Sequence, residues 1–160
     1  TAIWQVWKTL LQDGDPNVKF IAAQTMYLRA RSSSSGRPPM VKELFTILSQ
    51  GGDSGLPPLV LQRLALTLAA LAARAVYSNR EEEAAEWVVQ GAAPGYSPVK
   101  ALVDFTVSSP AHVGMGLFML TSLASECSAL VDRGMRSRQS LPPIPDLESV
   151  WSLLPQANPT

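Results

Sequence analysis

Pro16, Pro57 and Pro110 each head a stretch in which apolar residues recur every three to four positions, and this spacing of helix openings constrains the chain more than any other feature. Proline suits a first helical turn because its missing N–H has no partner there and its fixed φ is already helical. The intervals are 41 and 53 residues, and the longer one contains an extra segment, about 79–95, that reads as an insertion. A helix-pair period of about 40–47 residues is that of HEAT and armadillo arrays. In such arrays no pair buries its apolar face alone, so pairs stack into a superhelix. On periodicity alone, an ordinary helical bundle is the alternative.

Ile3, Val6, Trp7, Leu10 and Leu11 mark a first helix, and Asp13-Gly14-Asp15-Pro16 stops it and starts a second with Asp15 as N-cap. Val18, Ile21, Ala22, Thr25, Met26 and Leu28 carry the second to about Arg31, with Val18, Ile21 and Ala22 as its expected buried face. After a Ser/Gly/Pro loop, Val41, Leu44, Phe45 and Leu48 predict a third helix, ended by Gly51-Gly52. Pro57-Pro58 opens a fourth, rich in Leu and Ala, with Leu64, Leu68 and Leu71 facing the core. Ser78 and Glu81 have capping-box spacing for a short helix to Val89. Ser97-Pro98 opens a helix through Val107, Ser109-Pro110 opens one to about Val131, and Asp146 to Leu154 reads as a last short helix.

No stretch alternates with period two, so the expected class is all-α, an α-α superhelix of about three helical hairpins plus a partial one. The pairs fall at about 2–31, 40–76 and 97–131, followed by an irregular tail over 133–160. All belong to one solenoid region, 1–160. The chain opens inside an amphipathic pattern, which suggests a piece of a longer array.

Composition narrows function by exclusion. The 160 residues are 46% hydrophobic, enough for a sizeable core, and 13 Lys plus Arg balance 13 Asp plus Glu. Zero net charge argues against a partner gripped through phosphates, so no direct nucleic acid is expected. One cysteine, Cys127, leaves no internal disulfide and no multi-cysteine zinc site, and one histidine, His112, removes most metal sites. The longest apolar run, Leu64 to Val76, is broken by Arg74, so no membrane span of roughly 20 residues is expected.

Gly52-Asp53-Ser54-Gly55 matches the residues around a serine-protease nucleophile, but that chemistry needs a histidine and a buried acid on a β scaffold. His112 and Cys127 lie fifteen positions apart, about 22 Å along one helix, too far for a nucleophile and its base. Cys127 reads as a small core residue and His112 as a solvent-facing or locally bonded group. Glu81, Glu82, Glu83 and Glu86 read as a solvated helix start, and Arg133, Arg136 and Arg138 as a solvated loop, with bidentate binding of an acidic or phosphate-bearing partner as the sharper alternative. Trp4, Trp7, Trp87 and Trp151 sit in apolar stripes and read as packing residues. No catalytic residue, metal ligand or cofactor site emerges, and the expectation is a protein that is not an enzyme.

One likeness goes further. Ala2-Ile3-Trp4-Gln5-Val6, Leu10-Leu11-Gln12 and above all Phe20-Ile21-Ala22-Ala23-Gln24-Thr25-Met26 resemble the early repeats of the importin-beta superfamily of nuclear transport receptors (karyopherins), nearest the transportin-SR and importin thirteen branch. Pro58 to Ala72 resembles the second helix of that family's next repeat, and 99–123 the following pair more loosely. The likeness spans roughly 2–140; the Ser32 to Ser35 run, the 79–95 insertion and the tail after Arg138 depart from it.

The resemblance implies a nuclear import receptor found in nucleus and cytoplasm, which binds the GTPase Ran in its GTP form, cargo proteins and Phe-Gly nucleoporins. It implies no cofactor and no membrane partner, and it leaves oligomeric state, cargo and direction of transport open. In that family the second helix of each pair lines the concave face. This would make partner contacts of Gln24, Tyr27 and Arg31 on one helix and Arg63, Thr67 and Arg74 on the next. The rival expectation is a HEAT or armadillo interaction scaffold unrelated to nuclear transport.

Overall fold

A two-carboxylate turn joins the first pair of helices. Asp13 Oδ1 accepts from the Asp15 N–H at 2.8 Å, and Asp15 Oδ1 accepts from the Asn17 N–H at 2.9 Å, so the second helix is capped one residue before its opening proline. The computed structural model describes residues 2–32, 41–76 and 98–132. Among these there are six α-helices and no strand: α1 (Ala2–Leu11), α2 (Pro16–Ser32), α3 (Val41–Gln50), α4 (Pro58–Val76), α5 (Pro98–Val107) and α6 (Val113–Asp132). The class is all-α. The expected helices near Val89 and Leu154, the insertion and the tail lie outside the described residues.

The chain divides into two units, Thr1–Leu71 and Ala72–Thr160, with the boundary inside α4. In the first, α1 packs on α2. Trp7 and Leu11 of α1 are buried, as are Ala22, Ala23 and Met26 of α2, Leu44 and Leu48 of α3, and Leu64 and Leu68 of α4. A 3-10 turn, Gly51–Ser54, follows α3; Gly51 (φ 54°) and Gly55 (φ 76°) bracket it in the left-handed region that a side chain disfavours.

The two hairpins of this unit repeat each other. Trp7 and Leu11 match Leu44 and Leu48, and both first helices carry a threonine bonded to the carbonyl four residues back, Thr9 to Gln5 and Thr46 to Lys42, each at 2.9 Å. Aligned at their opening prolines, Pro16 and Pro58, the second helices match Ala22, Ala23 and Met26 with Leu64, Ala65 and Leu68, all buried. Thr25 and Thr67 then coincide, and each donates to its own fourth-preceding carbonyl, at 2.7 and 2.8 Å.

The facing expected for α2 is corrected. Ala22 is buried, but Ile21 is 63% exposed and Leu28 53%, while Ala23, Met26 and Ala30 fill the core instead. Apolar residues surround this helix, so sequence spacing selects no single face, and the neighbours decide which side is covered.

In the second unit α5 packs on α6. Ser109 caps a 3-10 turn, Pro110–His112, by accepting from the Ala111 N–H, and the turn leads directly into α6. Leu102, Phe105 and Thr106 of α5 are buried, as are Met119, Leu120 and Leu123 of α6.

The expectation about membrane spans also needs correction: Pro58–Ala75 and Pro110–Leu130 are long and apolar enough to cross a membrane by length and composition. Averaged over the whole helix, the leucine, valine and alanine content outweighs scattered polar residues such as Gln62, Arg63 and Arg74. The first stretch is mostly buried, as the core helix of a folded domain is.

Candidate functional site

The expected partner residues on α2 form one continuous stripe, longer than the sequence reading made it. Phe20, Gln24, Tyr27 and Arg31 follow at helical spacing and all are half-buried. The Arg31 guanidinium lies over the Tyr27 ring, 5.6 Å from its centroid. Phe20 extends the stripe and meets α4, where the Arg63 guanidinium lies 5.7 Å from the Phe20 centroid. Such cation–π contacts hold the long arginine side chains close to the helix surface. Phe20 was missed although it stands seven positions before Tyr27, a spacing that places both on one face.

Thr67 leaves the proposed stripe. It is 0% exposed, and its Oγ1 donates to the Arg63 carbonyl, so it offers a partner nothing. A threonine that satisfies its hydroxyl on its own helix can be buried like a valine. Arg74, in the last turn of α4, is half-buried and lies in the second unit. Gln24 is the unusual member: its Oε1 is buried and has no hydrogen-bond partner. A buried acceptor left unpaired costs about 1–3 kcal/mol, a penalty that a donor from a partner would remove.

A second feature has no counterpart in the sequence reading. A cleft of about 580 Å³ lies among the end of α1, the start of α2, α3 and the loop around Gly55. Leu11, Ile47 and Leu56 give it apolar walls, and Lys8, Lys19 and Glu43 give it charge. Lys8 Nζ stands 3.4 Å from Glu43 Oε2, joining α1 to α3, and Lys19 Nζ reaches the Gly55 carbonyl at 3.5 Å. Both ions of the Lys8–Glu43 pair are well exposed, so the pair adds little stability. Its walls come from residues up to 48 positions apart, Lys8 to Leu56, so no local motif announces it.

The groups that tempt a catalytic reading are engaged locally. Ser54 Oγ donates to the Gly51 carbonyl at 2.6 Å and accepts from the Leu56 N–H, closing the turn after α3. His112 stacks on Phe105, centroids 4.5 Å apart and planes within 3°, and its Nδ1 shares a hydrogen bond with Ser108 Oγ at 2.9 Å. Cys127 is buried on α6; burial, aided by the neighbouring Glu126 charge, pushes its thiol up to about 11. Its environment disfavours the thiolate, the reverse of what a nucleophilic cysteine needs.

Among the described residues, no group of three or more His, Cys, Asp or Glu side chains is placed to hold a metal ion. Glu81, Glu82, Glu83, Glu86, Arg133, Arg136, Arg138, Trp87 and Trp151 lie outside the described residues. No protein-family model matches the chain, and neither a curated protein nor a solved structure is found similar to it.

Proposed function

We propose that this chain is the early-repeat region of an importin-beta-type nuclear transport receptor, in which helical hairpins stack as HEAT/armadillo-like repeats into an α-α superhelix. The array half of this reading is carried by one observation: α3–α4 repeats α1–α2 in its buried residues and in two threonines that bond back to the same relative carbonyl. The transport half is supported by the resemblance of Phe20 to Met26 and of Pro58 to Ala72 to that family's early repeats. In this reading Ran in its GTP form and cargo proteins contact the second helices through Gln24, Tyr27, Arg31, Arg63 and Arg74. Phe-Gly nucleoporins bind weakly elsewhere, and the receptor moves between nucleus and cytoplasm. Release of cargo by Ran is then a coupling of two binding free energies, with no bond made or broken by the receptor.

The test is a pull-down of the full-length receptor with GTP-locked Ran and with GDP-bound Ran. Retention of the GTP-locked form alone is expected, and weaker retention when Tyr27 and Arg31 are both changed to alanine. Equal or absent retention of the two forms sinks the transport half and leaves a HEAT or armadillo scaffold unrelated to nuclear transport.

A further inference from the structure

The cleft beside Gly55 carries one positive charge that nothing in it neutralises. Among the described residues that line it, only Lys8, Lys19 and Glu43 are charged. Lys8 Nζ and Glu43 Oε2, 3.4 Å apart, cancel each other between α1 and α3. Lys19, in the first turn of α2, is half-buried, and its Nζ meets the Gly55 carbonyl at 3.5 Å, too long for a strong hydrogen bond. No carboxylate pairs with Lys19 among the described residues. Asp13 and Asp15, the nearest acids in sequence, do not line the cleft; their carboxylates accept the Asp15 and Asn17 N–H groups of the connector. An ammonium so placed has given up part of its water without gaining a full partner. The same cleft is apolar elsewhere: Leu11 is buried, while Ile47 and Leu56 are half-buried and keep apolar surface open to it. Its volume, about 580 Å³, is that of a small-ligand pocket.

We propose that this cleft binds a monocarboxylate carried on an apolar body, with the carboxylate on Lys19 Nζ and the apolar part against Ile47 and Leu56. A carboxylate meets an ammonium at about 2.7–2.9 Å in a charge-assisted bond, closer and stronger than the Gly55 carbonyl contact it replaces. One negative charge matches the one unmatched positive charge. A dianion such as a phosphate monoester is disfavoured, because its second charge meets Glu43 and like charges repel. A neutral apolar ligand gains only the walls and leaves Lys19 as it is. The favoured chemistry is shared by a free aliphatic or aromatic acid and by an Asp or Glu beside an apolar residue in a peptide. The inference goes beyond the functional reading and stands on the packing of α1, α2, α3 and the Gly55 loop alone.

The experiment titrates the isotope-labelled full chain with phenylbutyrate, with its uncharged amide and with phenylbutyl phosphate, and follows backbone amide resonances. Shifts are expected at Lys19, Ile47 and Leu56, with a Kd on the order of 1 mM for an acid of this size. The amide should bind at least about tenfold more weakly, the margin of a charge-assisted hydrogen bond over a neutral contact. Lys19→Met should weaken the acid by a similar factor and leave the amide unchanged. The phosphate should bind more weakly than the acid, and Glu43→Gln should narrow that gap at least about threefold. An acetylated and amidated Leu-Glu-Phe tripeptide identifies the source: binding about tenfold tighter than phenylbutyrate assigns the cleft to a peptide segment, and equal or weaker binding to a free acid, either of which upholds the proposal. Equal affinity for acid and amide overturns it, as do shifts that miss the three cleft residues or an acid affinity that survives Lys19→Met. Equally tight binding of acetylated and amidated Gly-Phe-Gly also overturns it, since the cleft is then a neutral aromatic slot. Should Lys19→Met fail to fold, the comparison of acid with amide on the parent chain decides.

Discussion

Gly116 of α6 lies directly against Thr106 of α5, so closely that a Cβ at Gly116 would overlap the Thr106 hydroxyl and Cβ. Thr106 is itself 0% exposed and cannot swing away, because its Oγ1 is held by the Leu102 carbonyl at 2.7 Å. Alanine is the better helix former by about 1 kcal/mol. Gly116→Ala should nevertheless lower stability, by about 1–3 kcal/mol, because the added methyl overpacks the crossing. Adding Thr106→Gly should recover part of the loss. Chemical denaturation of the two variants checks the sign, and a Gly116→Ala chain that is more stable than the parent would mean that α5 and α6 cross further apart.

Leu68 is fully buried in α4, the position that matches Met26 in α2. Leu68→Ala should cost about 2–5 kcal/mol through lost burial and a residual cavity. An unchanged melting curve would place this side of α4 at the surface.

Asp15 accepts the Asn17 N–H and so caps α2. Asp15→Ala should cost about 1 kcal/mol, whereas Asp15→Ser should be close to neutral, since the hydroxyl also caps. Urea unfolding of both variants separates a capping role from a mere effect of charge.

The Cys127 thiol is pushed from 9.0 to about 11 in the fold. The unfolded chain therefore releases this proton at lower pH than the folded one, and ionisation favours unfolding. Stability should be unaffected by this group below pH 9, fall as pH rises from about 9 to about 11, and level off above. Cys127→Ala should flatten that part of the stability-against-pH curve. Alkylation of the native chain by iodoacetamide at pH 8 should be slow until denaturant is added.

Arg63 is half-buried and packs on Phe20, so Arg63→Glu should lower stability by about 0.5–2 kcal/mol as well as perturb any partner bound nearby. Arg63→Lys should retain charge but lose most of the flat stacking. Partner affinities of Arg63 variants are thus to be read beside their melting curves.

Helix existence and ends were legible because their chemistry is local. Asp15, Pro16, Pro58, Ser109 and Pro110 act within a turn of themselves, and each stands where the expected opening does. Facing was legible on α4, where Leu64, Leu68 and Leu71 form one stripe, and illegible on α2, where Val18, Phe20, Ile21, Met26 and Leu28 point in several directions. Thr67 was misplaced because residue type alone does not reveal a hydroxyl satisfied by its own backbone. The Phe20–Arg63 contact and the cleft beside Gly55 join residues remote in sequence, and only the packing of one hairpin on the next brings them together.

The four-residue connector Gln12–Asp15 has a kinetic consequence. Because α1 and α2 meet across so short a link, their contacts join residues close in sequence, and closing the loop costs little chain entropy. Chains dominated by such local contacts fold fast. The α1–α2 hairpin can therefore assemble as soon as its own thirty or so residues are clear of the ribosome, at a synthesis rate of roughly 5–20 residues per second. The α3–α4 hairpin then condenses on a template already in place.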